Sequence, residues 1–371
     1  MSRRASLFTA VLLSWTAANL SAQSPAKPGG ASPSPAPPTT PQPASTPTAR
    51  SLVDSMDSAD LKEAIQLLKN NYIKPEALNE TELNRATFEG ILLRLGRGVV
   101  LLSNSAAEPA EPAAPLFGEI LEGHVGYLRF GALTRPNLDA LDTNLKTFAT
   151  KKVDALVLDL RASPATNDFA TGSEFAKRFC PKGKTLFSLR KTNAKQERTF
   201  TSERDPSYQG LTIILADGDT AGAAEAIAGA IHLYVKALVI GQPTAGRAVE
   251  YSDLKLPSGK ILRVAVSEAV LPEGRPLFPS GIQPDVPVEM SATDKREVFQ
   301  QSREKGMTPF IVEAERPHLN EAALISGKNP ELEAMEAAQR RGRGPDKATV
   351  RDPVLQRALD LVTSIAIFEK K

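Results

Sequence analysis

An α/β fold, a largely parallel sheet covered by helices, is what this 371-residue sequence predicts. Short apolar runs of strand length, at Ala155–Leu160, Leu211–Ala216 and Ala237–Ile240, alternate with segments of helical periodicity. That alternation is the pattern of strands joined by helical crossovers. The run Ala155-Leu-Val-Leu-Asp-Leu160 suits a strand buried on both faces. Asp217 to Tyr251 repeats the theme in one stretch: an apolar strand, a small-residue turn, a helix, a second strand and a glycine-bounded loop. In such frames chemistry sits where strands end and helices begin.

Residues 1–22 carry Arg3 and Arg4, an apolar run from Leu7 to Leu13, Trp15, and Leu20-Ser-Ala22. This is the pattern of a secretory signal peptide. The apolar run is shorter than the roughly 20 residues of a membrane span, so cleavage and export to a bacterial periplasm or the cell exterior are expected, with an uncleaved anchor as the rival. The single cysteine, Cys180, permits no internal disulfide and leaves no cysteine for a lipid anchor near residue 22. Residues 23–50 are dominated by Pro, Ala, Ser and Thr; they lack the apolar surface needed to fold and are expected to be a solvated tether.

Leu61, Ala64, Ile65, Leu67 and Leu68 recur at helical spacing, as do Leu83, Phe88, Ile91, Leu92 and Leu95, which predicts a helical hairpin within 51–103. An Ala/Pro/Glu-rich linker follows at 104–117. The core, 118–290, opens with a strand at His124–Phe130 and a helix at about Pro136–Thr150 with Leu138, Leu141, Leu145 and Phe148 on one face. After the Ala155–Leu160 strand come a helix near Phe169–Phe179, a strand at Leu211–Ala216, a helix at Ala221–Tyr234 and a strand at Ala237–Ile240. Tyr251–Leu256, a Pro-Ser-Gly-Lys turn and Ile261–Leu271 read as a β-hairpin. Residues 291–371 form a polar, helical carboxy-terminal extension, broken at Arg340–Arg343 and ending in an amphipathic helix at Pro353–Phe368. No internal repeat is visible.

A 41% hydrophobic content supplies a core, and a net charge of +2 from 45 basic and 43 acidic residues gives no basic tract for a nucleic acid. The runs Lys191–Arg204 and Arg340–Arg343 read as solvated charge. Three scattered histidines, His124, His232 and His318, offer no ligand spacing with Cys180; neither a metal nor a cofactor is expected.

Several strings, in order, resemble those of the carboxy-terminal processing (tail-specific) serine peptidases. They are Gly126-Tyr-Leu-Arg129, Leu158-Asp-Leu-Arg161, Gly241-Gln-Pro-Thr-Ala-Gly246 and Gly281-Ile-Gln-Pro-Asp-Val286. Each string is weak alone; their order and spacing are specific. The resemblance implies a ClpP/crotonase-like ββα-spiral core over about 123–290. The amino-terminal hairpin resembles the helical segment that precedes that family's peptide-binding PDZ domain, whose place the short linker takes.

The resemblance also locates the working positions. The family's S-A-S-A-S-E, with its middle serine as nucleophile, corresponds to Thr220-Ala-Gly-Ala-Ala-Glu225, which puts Gly222 at the nucleophile. The general-base lysine corresponds to Arg247 and its supporting glutamine to Tyr251. The oxyanion-stabilising Gly-Gly corresponds to Ala165-Thr166, with Ala223 following the nucleophile position. Glycine offers no side-chain oxygen for an acyl-enzyme, and arginine, with a pKa above about 12, does not serve as a base. In another serine peptidase, loss of the nucleophile alone costs on the order of 10⁶ in kcat. The expectation is a catalytically inactive pseudo-peptidase that binds a protein or peptide or acts as a scaffold. One rival is an active serine-type endopeptidase with a displaced nucleophile at Thr220, Ser163 or Ser252, although Thr220 reads as a helix N-cap and the two serines as loop and strand-edge groups. The other is a carrier of a small apolar ligand, by analogy with retinoid-binding proteins that resemble this fold.

A helix beginning near Ala221 would point unpaired amides at the former oxyanion position. Arg247 would add bidentate geometry for a carboxylate, such as a free peptide carboxy-terminus. The plainer alternative pairs Arg247 with Glu250 or Glu225.

Overall fold

A computed structural model describes residues 49–103, 114–191, 197–311 and 350–369. The signal sequence, nearly all of the tether, His318 and Arg340–Arg343 lie outside them. The chain divides into two compact units, Met1–Asn79 and Glu80–Lys371. The first holds helices α1 (Ala49–Asp54) and α2 (Ser58–Asn71). Asp57 caps α2 by accepting the amides of Ala59 and Asp60 at 2.7 and 2.8 Å, which satisfies two of the donors that a helix start leaves open.

The second unit begins with α3 (Glu80–Leu95). The helices expected of the hairpin are therefore both present, in different units, and neither buries a residue. A strand the sequence reading missed, β1 (Val99–Leu102), follows. Then come β2 (Phe117–Leu121), also missed, β3 (Val125–Arg129), α4 (Arg135–Lys151), β4 (Ala155–Asp159) and α5 (Phe169–Ala176). They lead into β5 (Thr185–Arg190), β6 (Arg198–Thr201), β7 (Leu211–Ala216), α6 (Ala223–Val235) and β8 (Leu238–Gly241). The chain continues through β9 (Val249–Lys255), β10 (Ile261–Leu271), β11 (Arg275–Pro276), β12 (Val286–Pro287), α7 (Ala292–Lys305) and α8 (Pro353–Glu369).

Two six-stranded sheets result. The central one runs β12-β8-β7-β4-β3-β2, parallel except for the β2–β3 hairpin. The strand period of two divides its side chains between two cores. Leu128, Leu156, Leu158, Ile214 and Val239 meet the apolar faces of α4, α5 and α6. Tyr127, Val157, Ile213, Leu215 and Ile240 on the other face meet Val298 of α7 and Val354, Leu355, Ala358 and Leu359 of α8. The carboxy-terminal helices thus belong to the core that the sequence reading assigned to 118–290. The second sheet is built around the long β10, which pairs antiparallel with β1, β9, β5 and β11, and β5 pairs with β6. Part of the run read as solvated charge forms β6, where Arg198 pairs with Glu250 at 2.6 Å.

Cys180 is fully buried in the first core, and burial pushes its thiol pKa up to about 12. A thiolate is the reactive species, so a thiol reagent at pH 8 is expected to label Cys180 only on unfolding. Stoichiometric labelling of the native protein within minutes would contradict this placement.

Candidate active site

The site begins where β7 ends. Asp217 to Ala221 turn tightly: the Thr220 amide donates to the Asp217 carbonyl at 3.0 Å, and the Asp217 amide donates to Thr220 Oγ1 at 3.2 Å. Lys295 of α7 fixes the turn from outside, its Nζ lying 2.5 Å from Asp217 Oδ2 and 2.6 Å from Asp219 Oδ2. Gly222 follows at φ 65° and ψ −126° and caps α6. The helix therefore starts two residues later than expected and Thr220 is not its cap; its buried hydroxyl staples the turn and donates to the Leu160 carbonyl at 3.4 Å. The backbone makes a tight strand-to-helix turn, similar in form to those on which hydrolases present a nucleophile.

The side-chain space at that turn is taken. Thr166 forms an isolated parallel bridge with Gly222, and its carbonyl accepts the Ala223 amide at 2.9 Å. A Cβ on residue 222 would overlap that same carbonyl oxygen. Oxyanion stabilisation needs N–H groups converging on one point, whereas here Thr166 presents an acceptor to the Ala223 donor. The expectation of unpaired amides at this helix start is corrected: the Gly222 and Ala223 amides are both bonded. Ala165, next to Thr166, is exposed.

Glu225 organises the site, a role the sequence reading did not give it. Its carboxylate is fully buried and receives four donors. Oε1 takes Thr244 Oγ1 and the Gly246 amide, both at 2.6 Å, and Oε2 takes the Arg247 amide at 2.8 Å and the Gly222 amide at 3.1 Å. Residues 222 and 247 are thereby brought onto one oxygen, across 25 positions of sequence. Burial raises the Glu225 carboxyl above its ordinary range, against the pull of the Thr244 hydroxyl and these amides. The glutamate three residues into a helix, reaching back to the cap amide, is half of a capping box; that spacing could have flagged it.

The loop opposite is clipped by the Gly281–Val286 string. The Thr244 amide donates to the Ile282 carbonyl at 3.0 Å and the Ile282 amide to Thr244 Oγ1 at 2.8 Å. Asp285 accepts the Val239 amide at 2.8 Å and stands 3.3 Å from His232. Arg97, also missed, donates a guanidinium N–H to the Ala245 carbonyl, and its own carbonyl accepts Tyr251 Oη at 2.9 Å. Burial holds the Tyr251 phenol above its ordinary range, while the positive charges of Arg247 and Arg263 oppose this.

Arg247 is exposed. The expected pairing with Glu250 or Glu225 is not formed: Glu250 binds Arg198 and Ser267, and Glu225 takes the Arg247 amide, not its guanidinium. Among the described residues no carboxylate pairs with that guanidinium. Ser163 is buried and donates to the Phe130 carbonyl at 3.3 Å; Ser252 lies on β9 opposite Val264. His124 Nδ1 lies 2.8 Å from the Glu122 carbonyl.

The model of Peptidase family S41 matches residues 124–288. The chain is 22% identical over 236 residues to the carboxy-terminal processing protease CtpA of Bacillus subtilis, covering 64% of this chain and 47% of that one. It is 29% identical over 164 residues to a chloroplastic carboxyl-terminal-processing peptidase of Arabidopsis thaliana, covering 43% and 33%. The chain thus spans half or less of the length of these relatives. Among solved structures, a peptidase-like protein from Parabacteroides merdae aligns over 66% of this chain and 85% of its own with a TM-score of 0.50 at 16% identity, a likeness of fold. Over residues 124–288 this chain is similar to the carboxy-terminal processing peptidases of family S41.

Proposed function

We propose that this chain is an exported protein of the carboxy-terminal processing protease type that does not cleave peptides and works as a peptide- or protein-binding module. One observation carries the reading: the Thr166 carbonyl fills the space in which a side chain at residue 222 would stand and holds the Ala223 amide. Gly222 supplies no attacking atom, and an arginine side chain is not a general base. Thr220 and Ser163 are buried with their hydroxyls bonded to backbone, which counts against a displaced nucleophile. Export is supported by the basic, apolar and small-residue order of 1–22; no helix among the described residues is long and apolar enough to cross a membrane. For peptide binding, the support is the exposed Arg247 guanidinium, suited to a terminal carboxylate.

Incubated with unfolded casein, the unaltered protein is expected to release no fragments. A Gly222→Ser/Arg247→Lys variant is expected to stay inactive as well, because the Thr166 carbonyl remains in place. Cleavage by the unaltered protein would overturn the reading; cleavage by the variant alone would show that loss of two side chains, and not the closed loop, silenced the site.

A further inference from the structure

A further cavity lies at the carboxyl ends of β3 and β4, bordered by Asp219 and Lys295. Its volume is about 670 Å³, and it is lined among others by Leu116, Phe117, Phe130, Arg129, Phe299 and Arg303, within the size range of small-molecule pockets. Five cationic side chains line it, Arg129, Arg161, Lys295, Arg296 and Arg303, against one acid, Asp219. Two of the five are neutralised: Arg161 by Asp159 and Asp352, and Lys295 by Asp217 and Asp219. Arg129, Arg296 and Arg303 have no carboxylate partner among the described residues.

Arg129 is the informative one. It is 6% exposed, yet its recorded acceptors are neutral: Nη1 donates to Ser302 Oγ at 2.8 Å and reaches Met307 Sδ at 3.8 Å. Its guanidinium carbon stands 4.8 Å from the Phe117 ring centre and 4.6 Å from that of Phe299, so two aromatic rings cover it at cation–π distance. Burying a guanidinium without an anion is strongly unfavourable, and the two rings offset only part of that. Neither Nε nor Nη2 has an acceptor among the described residues, and that edge has the planar geometry that receives an oxyanion with two N–H groups. The surrounding wall of Leu116, Phe117 and Phe299 is apolar.

We infer that this cavity binds a small organic carboxylate, its oxyanion on Arg129 with Arg296 and Arg303 at the mouth and its apolar body against the phenylalanines. The inference is independent of whether residue 222 supports catalysis. Calorimetric titration of the intact protein with 4-phenylbutyrate, its neutral amide and inorganic phosphate tests it. The acid is expected to bind at submillimolar concentration, at least tenfold tighter than the amide and than phosphate, and more weakly at 0.5 M salt. Arg129→Met is expected to weaken the acid at least tenfold. Should Arg129→Met not fold, the exposed pair Arg296→Ala/Arg303→Ala is expected to weaken it at least threefold, whereas Lys255→Ala/Lys260→Ala, an equal loss of exposed charge at the β9–β10 hairpin, leaves it unchanged. Equal binding of acid and amide, tighter binding of phosphate, absence of binding, or undiminished binding in the Arg296/Arg303 variant each overturns the inference.

Discussion

Replacing Arg161 with Met is expected to destabilise the fold by about 4 kcal/mol at pH 7, within the range for breaking a buried ion pair. Arg161 forms two forks: Nε and Nη2 bind Asp159 at 2.9 and 2.7 Å, and Nη1 and Nη2 bind Asp352 at 3.1 and 2.7 Å. All three side chains are shut off from solvent, Arg161 at 3% exposure and both aspartates at 0%. Asp352 also accepts the Val354 and Leu355 amides at the start of α8, so the cluster anchors that helix to β4. Met fills much of the arginine volume but leaves two buried carboxylates without a counter-charge.

The pH dependence identifies the cause. In the parent, burial alone would raise the Asp159 carboxyl, but the charge and hydrogen bonds of Arg161 and the Tyr127 hydroxyl hold it below its ordinary range. A depressed folded-state pKa gives stability present above the unfolded value of about 3.9 and lost as pH falls through the folded one. Without Arg161, burial wins at Asp159, its carboxyl rises, and the sign reverses: the variant is relatively favoured in acid. Urea unfolding at pH 7 and pH 4 is expected to show a large deficit that shrinks at pH 4. A variant within about 0.5 kcal/mol of the parent at pH 7, on the scale of an ordinary surface change, would remove this cluster as an anchor.

Glu225→Ala is expected to cost about 3 kcal/mol or more. It leaves the Thr244 hydroxyl and three backbone amides without their acceptor, and each buried unpaired donor costs roughly 1–3 kcal/mol before water enters. Glu225→Gln keeps the volume but sets an NH₂ against donors, so it is expected to recover only part of the loss. Native-state hydrogen exchange reads the effect locally: the Gly222, Gly246 and Arg247 amides should lose protection by at least a hundredfold, while those of β4, Ala155–Asp159, change in proportion to global stability alone. Unchanged protection at these three amides would mean that Glu225 does not hold the site together.

The sequence exposed the central strands as continuous apolar runs and the helices of the core by their periodicity. β7 was bounded to the residue, and the β9–β10 hairpin was legible from its Pro-Ser-Gly-Lys turn. Strands β1, β2, β5 and β6 were not read. Each is four to six residues long, and a short mixed run such as Arg198–Thr201 carries too little pattern to separate strand from charged loop. At the site, the proposal that Gly222 and Arg247 stand where a nucleophile and a base would be rests on residue identity once the strings are aligned, whereas the work of Glu225, Arg97 and Lys295 could not be read that way.

What the sequence by itself determined is chemical: which atoms exist at 222, 225 and 247, and the alternation that makes a parallel sheet. What only the tertiary structure decided is where polar groups meet partners far along the chain. Leu158-Asp-Leu-Arg161 reads as a family string, yet its function in the fold is to clamp Asp352, 191 residues beyond Arg161. Thr166 reads as a lost glycine, yet what matters is its carbonyl, which lies against Gly222 and Ala223. A buried donor or acceptor must be satisfied by whatever the packing brings to it, and that partner leaves no mark at its own position in the sequence.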